Sequence, residues 1–400
     1  VTGVQTCALP IFEWGFKSNY STSRSENVTS NLNSNNNQFV EDTVLTNLYQ
    51  IDNLINGAYI NYSASKGRFG YQGGLRFEQS HYAGTILNKD LKFSYQYPNL
   101  FNPDIRFEGG GFVYGVNDSQ KQSTSLENLK NALFPAIYLS YKWKGKEVQG
   151  NFSRKINRPN FFQLMPFVMF SDKFNYRIGN PQLTPEFINI AEVNFSTKFK
   201  KIDILSSVYG KYIEQPITNV AYPKETDPNV LVNTSQNGKD SYNYGWENTF
   251  KFSIGKNINI TSNSNIYYMT INFLDSKNQL VYNDGFTWMT KLNMSYKFKG
   301  DWTAQLNGTY EAPKILPQGK TIPMYFMDLS LNKMIKMKYI FNLTLSDVLN
   351  SRVMGSYYYT PDYTQKLSRR RETRYLRFSF TWLFGKFDSS IFRRRPGKND

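Results

Sequence analysis

The stretch RYLRFSFTWLF (374–384) alternates without a break. Leu376, Phe378, Phe380, Trp382 and Phe384 are apolar, and Arg377, Ser379 and Thr381 stand between them. Successive side chains of a strand point to opposite faces, so this spacing predicts a strand with one apolar and one polar face. The pattern recurs. In TWMTKLNMSYKF (287–298), Trp288, Leu292, Met294, Tyr296 and Phe298 oppose Lys291, Asn293, Ser295 and Lys297. Ala191, Val193, Phe195 and Phe199 repeat it, as do Phe341, Leu343 and Leu345, and Val148, Phe152 and Ile156. Strands are expected at 12–22, 50–63, 68–82, 133–143, 147–157, 187–199, 203–214, 241–254, 257–272, 285–298, 301–312, 321–335, 339–347 and 374–386. Only STSLENLKNAL (123–133) predicts a helical turn or two. Many of the fourteen strands reach ~10 residues, the length a tilted bilayer-spanning strand needs. Strands of soluble proteins usually run about 5–6 residues.

No run of 18 apolar residues exists; the densest patch, FFQLMPFVMF (161–170), is broken by Gln163 and Pro166. That excludes membrane-spanning helices and leaves a transmembrane β-barrel open, because barrel strands are only half apolar. The connections point the same way. Alternate joins are short and contain lysine: SASKGR, WKGKE, KFKKID, IGKN, FKGD and IKMK. The others are long and rich in Asn, Pro, Tyr and Gly: 23–49, 83–132, 158–186, 215–240, 273–284, 313–320 and 348–373. One short-turn rim and one long-loop rim define an outer-membrane barrel, with the short rim periplasmic. The expected fold is therefore all-β, a transmembrane antiparallel barrel of about fourteen strands in a bacterial outer membrane. Tyr62, Trp143, Tyr212, Trp246, Trp302 and Trp382 fit its interfacial girdles.

Composition removes most chemistry. Cys7 is the only cysteine and His81 the only histidine. Neither Ser-His-Asp, Cys-His nor histidine-metal chemistry is available, so no catalytic, metal or cofactor residue is assigned and no enzyme is expected. Glu78 near His81 makes at best a weak metal site, and a solvated rim histidine is the expected reading. The net charge of +16 is scattered among Tyr and Asn over the whole length. No nucleic-acid motif accompanies it, so no nucleic-acid partner is assigned.

Both ends are set apart. Residues 1–11, VTGVQTCALPI, read as the translation of a sequencing-library adapter, so native protein is expected to start near Phe12, with chain missing ahead of it. The barrel fragment is assigned to 12–387 and a basic periplasmic tail to 388–400.

The run NFSRKINRPNFFQLMPFVMFSDKFNYRIGNPQLTPEF (151–187) resembles the barrel of TonB-dependent receptors, in the group called the outer membrane beta-barrel family. The resemblance rests on Arg154, Ile156, Arg158 and Pro159, on Leu164 and Pro166, and on Gly179, Asn180, Pro181, Leu183, Pro185 and Glu186. LSLNKMIKMKYIFNLTLSDVLNSR (329–352) and RFSFTWLFGKF (377–387) resemble its closing strands. Met165 departs from the family, which usually has Asn there. The resemblance implies import of a nutrient across the outer membrane, through a 22-stranded barrel whose N-terminal plug is pulled by TonB. Neither the plug nor a TonB-contacting segment is read in this chain. The alternative is a plug-less barrel with a structural, adhesion or secretion role.

Loop 158–186 has two readings. Arg158, Phe162, Phe170, Tyr176, Arg177 and Asn180 are the candidate ligand-binding residues, offering stacking faces and hydrogen-bonding forks to an extracellular nutrient. Alternatively its prolines and glycine fix a compact loop over the barrel mouth, with the rings as a small core. SRRRETR (368–374) is either a contact for lipopolysaccharide phosphates or a solvated charge run.

Overall fold

The computed structural model describes residues 10–43, 45–89, 91–97, 106–108, 125–165, 168–172, 174–275 and 279–384. Residues 1–9 and the tail 388–400 lie outside the described residues. Fourteen long strands form one antiparallel sheet in chain order. They are β1 (Ile11–Asn27), β2 (Asn47–Lys66), β3 (Phe69–Ile86), β4 (Leu133–Trp143), β5 (Lys146–Asn157), β6 (Glu186–Phe199) and β7 (Ile202–Glu214). The path continues through β8 (Asp240–Ile254), β9 (Ile258–Leu274), β10 (Leu280–Phe298), β11 (Trp302–Glu311), β12 (Met324–Ile335), β13 (Tyr339–Ser346) and β14 (Tyr375–Trp382). Each expected strand is present, most within a few residues of its expected ends. The sheet is not closed: β1 and β14 are its two edges.

The register carries the alternation across the sheet. Phe199, Ile202, Phe252, Ile260, Met294, Leu306, Leu329, Leu345 and Leu376 pair in succession, one on each of the strands β6 to β14. One residue further along, Lys198, Asp203, Lys251, Thr261, Asn293, Asn307 and Asp328 pair in the same way. Directly paired residues share a face, so one surface is apolar and the other polar. The apolar surface lies open: Val193, Val208, Phe378 and Trp382 are 56–65% exposed. An apolar band of this extent in water would be an aggregation surface; in lipid it is the face that makes insertion favourable.

The short rim is made of tight turns. Lys144 and Gly145, Gly300 and Asp301, and Lys336 and Met337 each adopt two successive left-handed conformations. Such pairs match the right-handed twist of the flanking strands. The helix expected at 123–133 is present as α1 (Ser125–Ala132). What the sequence did not announce is further strand in the long loops. One four-stranded sheet comprises Val168–Asp172, Asn175–Ile178, Asp227–Asn237 and Ile217–Lys224, and a second comprises Ile315–Leu316, Gly319–Thr321, Met354–Tyr359 and Thr364–Arg369.

Phe380 and Thr381 sit on opposite faces of β14, paired with Phe341 and Ile340. In the intact protein, Phe380→Arg should cost about 2–4 kcal/mol if that level is near the bilayer midplane, and Thr381→Arg much less. Reversible denaturant unfolding in lipid vesicles measures both, and equal losses would count against this assignment of faces.

Candidate functional site at the long-loop rim

Loop 158–186 is tied back onto strands two and three places away. Arg158 leaves the end of β5, and its Nη2 donates to Glu78 Oε2 at 2.5 Å while its Nε donates to Ser80 Oγ at 2.6 Å. Glu78 is 4% exposed and also pairs with Arg76. Next comes a single helical turn, α2 (Phe161–Leu164). Asn160 Oδ1 accepts from Gln163 N at 3.1 Å, and Gln163 Oε1 accepts from Asn160 N at 2.9 Å. This reciprocal cap satisfies two otherwise orphaned N–H groups. It also aims the turn downward: Leu164, Met165 and Leu183 form one buried cluster with Tyr49 and Ile51 of β2 and Tyr82 and Ile86 of β3. Phe161 packs against Tyr49 with ring centroids 5.0 Å apart. Met165 is thus an apolar core residue.

Gly179 seals the loop. A Cβ there would lie 2.3 Å from Met165 O and 2.5 Å from Met165 N, so only glycine lets the two backbones approach. Asn180 follows, donating from N to Gln163 O at 2.6 Å and from Nδ2 to Ser235 O at 3.1 Å. Its Oδ1 accepts from Gln182 N at 2.9 Å.

Side-chain amides then join one loop to the next. Asn237 Oδ1 accepts from Thr184 N at 2.8 Å, and its Nδ2 donates to Thr184 O and Gln215 O, both at 2.9 Å. Asn283 Nδ2 donates to Leu316 O at 2.6 Å and Gly319 O at 3.1 Å. The two loop sheets meet at Ala221. Gln318 Oε1 accepts from Ala221 N at 2.7 Å, and Gln318 Nε2 donates to Ala221 O at 2.9 Å. Tyr363 Oη donates to that same oxygen at 3.2 Å, and burial pushes its hydroxyl pKa up to about 12. The long-loop rim is a cross-braced layer.

Of the six candidate ligand residues, two are framework. Arg158 and Asn180 spend their polar atoms on Glu78, Ser80, Ser235 and Gln182. Phe162 and Arg177 are exposed, the former at 55%. Tyr176 is half-buried with Lys224 Nζ 5.2 Å from its ring centroid. The backbones of Phe170 and Tyr176 are paired, which puts both residues in the first loop sheet; the Phe170 side chain and Phe167 lie outside the described residues. In the arginine run, Arg370 Nη2 donates to Asn350 O, and Arg374 Nη2 donates to Val348 O at 2.9 Å. Those two guanidiniums close a loop.

A model of the outer membrane protein beta-barrel family matches residues 10–107 and 113–382. The chain belongs to the outer membrane protein beta-barrel family. Members of this family are outer-membrane proteins, so the apolar face described above meets lipid. No curated protein sequence matches the chain. Solved structures do match in fold. The siderophore receptor PiuA from Acinetobacter baumannii superposes with a TM-score of 0.58 at 9% identity, over 94% of this chain and 53% of that one. The copper transporter OprC gives 0.57 at 11% identity, over 93% and 54%. The ferric yersiniabactin uptake receptor FyuA from Yersinia pestis gives 0.57 at 10% identity, over 94% and 51%. The chain spans about half the length of these structures.

Two predictions follow from this rim of the family barrel. Gly179→Ala should cost about 1–3 kcal/mol by forcing the backbone of α2 away. Limited proteolysis should then cut within 158–186 while the barrel strands stay protected; uncut loop would show that the contact is not needed.

The second concerns Asp347, which is buried in the loop after β13. Burial alone would raise its pKa, but hydrogen bonds from the Thr373 hydroxyl and from Ser351 N and Arg352 N, with the Arg370 charge, hold it below the ordinary 3.8. A depressed carboxylate contributes stability that is complete above its unfolded pKa and is lost as pH falls through the lower folded value. Amide exchange at Ser351 and Arg352 should therefore be slow at pH 5 and accelerate, relative to the intrinsic rate, only below about pH 4. Asp347→Asn should remove that step; an unchanged profile in the variant would assign the step to another group.

Proposed function

We propose that the chain is barrel from an outer-membrane receptor of the TonB-dependent kind, which takes up a nutrient from outside through a polar lumen. The observation that carries this reading is the rim itself. Loops from residue 158 to 369 are braced by Asn180, Asn237, Asn283 and Gln318 into one layer. A barrel that only anchors or spans needs no ordered layer over one mouth, whereas a receptor needs a fixed surface on which to select its ligand. The names of the structures that share the fold, a copper transporter, a siderophore receptor and a ferric yersiniabactin uptake receptor, support the same class. Within the layer, Phe162, Tyr176 and Arg177 form the ligand-facing set, with Arg158 and Asn180 holding it in place; the Phe170 side chain lies outside the described residues. In this reading TonB acts through a plug domain of the whole protein, and the tail 388–400, outside the described residues, lies on the periplasmic side. Lipopolysaccharide meets the exposed arginines of 368–374 that the loop does not use.

Upstream genomic sequence tests the class directly. A compact domain of about 100–150 residues ahead of Phe12 is expected. A secretion signal joined straight to β1 would favour the plug-less alternative. Topology and role are tested in cells: a tag near Asn229 should be labelled from outside and one after Phe392 should not. Deleting 162–176 from the full-length protein should reduce uptake while assembly persists, because β5 and β6 keep their pairing. A surface-labelled tail with a hidden loop tag would invert the barrel and end the receptor reading.

A further inference from the structure

The polar wall formed by β2 to β5 contains a recess of about 650 Å³ beneath the braced loop. Tyr59, Asn61, Arg76, Tyr138, Lys155 and Arg158 line it, with Glu78 at its base. Its charge is unbalanced. Arg154 also borders it, but its guanidinium is held by Glu214, Asn189 and Asn131; of the remaining charges, Arg76, Lys155 and Arg158 give +3 and Glu78 gives −1, leaving +2. Glu78 is nine-tenths buried, and its two oxygens are each taken by a different arginine. The two arginines differ. The Arg158 side chain is 16% exposed and its Nε is spent on Ser80, whereas the Arg76 side chain is 50% exposed. Glu78 therefore fixes the orientation of Arg76 and leaves the rest of its fork free of protein partners among the described residues. Lys155 is exposed. Tyr59 stands opposite Gly15, where a Cβ would lie 2.7 Å from the tyrosine ring, so the ring lies flat on the glycine with 43% of the residue still exposed.

We infer that this recess binds an anionic group, a carboxylate or a phosphate, of the ligand that enters from the long-loop side. The inference deepens the receptor reading and rests on it. A guanidinium already oriented by a buried carboxylate pays little ordering entropy when it binds a second oxyanion, and its planar fork suits carboxylate and phosphate alike. Lys155 adds a point charge. Concave walls concentrate the field of such groups and raise the local concentration of anions. The hydroxyls of Tyr59 and Tyr138 supply neutral donors around the charged pair, while the Asn61 amide is engaged by Glu13 and Gln72.

The test is equilibrium dialysis of the full-length protein, purified in detergent, with labelled citrate and labelled inorganic phosphate at low and high salt. Saturable binding of at least one anion is expected at low salt, weakening as salt screens it. Arg76→Gln with Lys155→Gln should weaken binding at least tenfold, while Lys291→Gln on β10 should leave it unchanged. Because Arg76→Gln could disturb Glu78 and the fold, Lys155→Gln alone is the deciding variant; it touches no framework group and should still lose severalfold. Tighter binding of citrate would identify a carboxylate ligand, and of phosphate a phosphorylated one. No saturable binding of either anion, or equal binding by wild type and Lys155→Gln, would overturn the inference. That outcome with a plug domain encoded upstream removes only the recess, whereas absence of the plug removes the receptor reading whatever the dialysis shows.

Discussion

Every backbone N–H and C=O that enters hydrocarbon must find a partner within the protein, because lipid offers none. The sheet obeys this everywhere between its two open edges, β1 and β14. Each of the fourteen strands pairs with its sequence neighbour, and the pairing runs uninterrupted for 17 residues between β9 and β10 and for 18 between β2 and β3. Antiparallel neighbours joined by tight turns are the cheapest way to reach that state, since each new strand closes only a short loop. The same ladder decides the faces: with side chains alternating, a slip of one residue would turn Phe252, Ile260 and Met294 into the lumen and Lys251, Thr261 and Asn293 into lipid. Register, insertion and lumen chemistry are one constraint.

Beyond the bilayer the constraint relaxes, and a different device takes over. There, side-chain amides bridge segments that no ladder joins. Asn237 spans residues 184 and 215, and Gln318 pairs with Ala221 as a peptide group would. The richness in Asn that gives the chain its hydrophilic character is in part this bracing. Part of the apolar surface that the loops bury is borrowed from the barrel: Leu164, Met165 and Leu183 pack on Tyr49, Ile51, Tyr82 and Ile86. Loop 158–186 thus uses the barrel wall as its core.

How much of this was legible follows from the range of each interaction. The fourteen strands were readable because a period of two is a local property, visible in Leu376 to Phe384 without knowing any partner. The loop sheets were not. Ile217–Lys224 contains Pro223 and lies beside Pro216, which read as punctuation, and its partner Asp227–Asn237 pairs in parallel with Asn175–Ile178, which no local pattern announces. Arg158 and Asn180 looked like ligand groups because they are polar residues in a loop. Their partners, Glu78 and Ser235, lie 80 and 55 positions away, a separation at which sequence offers no signal. Phe162 and Arg177 keep exposed side chains, although the Arg177 backbone pairs with Met169 and with the distant Asn233.

One cluster links the two regimes and fixes where they meet. Arg154 pairs directly with Asn189, which pairs with Tyr212, so these residues and Glu214 fall on the face that carries Phe152, Ala191 and Val193. Yet Arg154 Nη1 binds Glu214 at 2.9 Å and Asn189 at 3.2 Å, its Nη2 binds Asn131 of α1 at 3.2 Å, and its guanidinium lies 4.6 Å from the Phe187 ring centroid. Charged groups on the lipid face are tolerated only near or beyond the interface. From Phe199, at the short-turn end of β6, to Asn189 is ten residues, roughly 33 Å along a strand at about 3.3 Å each. At a tilt of about 40° that is roughly 25 Å of height, the thickness of the apolar band in such barrels. The hydrocarbon therefore ends just below Arg154, and Lys130 of α1, which reaches Glu214 at 3.1 Å, stands in the headgroup layer above it. The ion cluster is affordable at this level and nowhere lower on that face, which is why the strands change from apolar alternation to hydrogen-bonded charge there, before the loops begin.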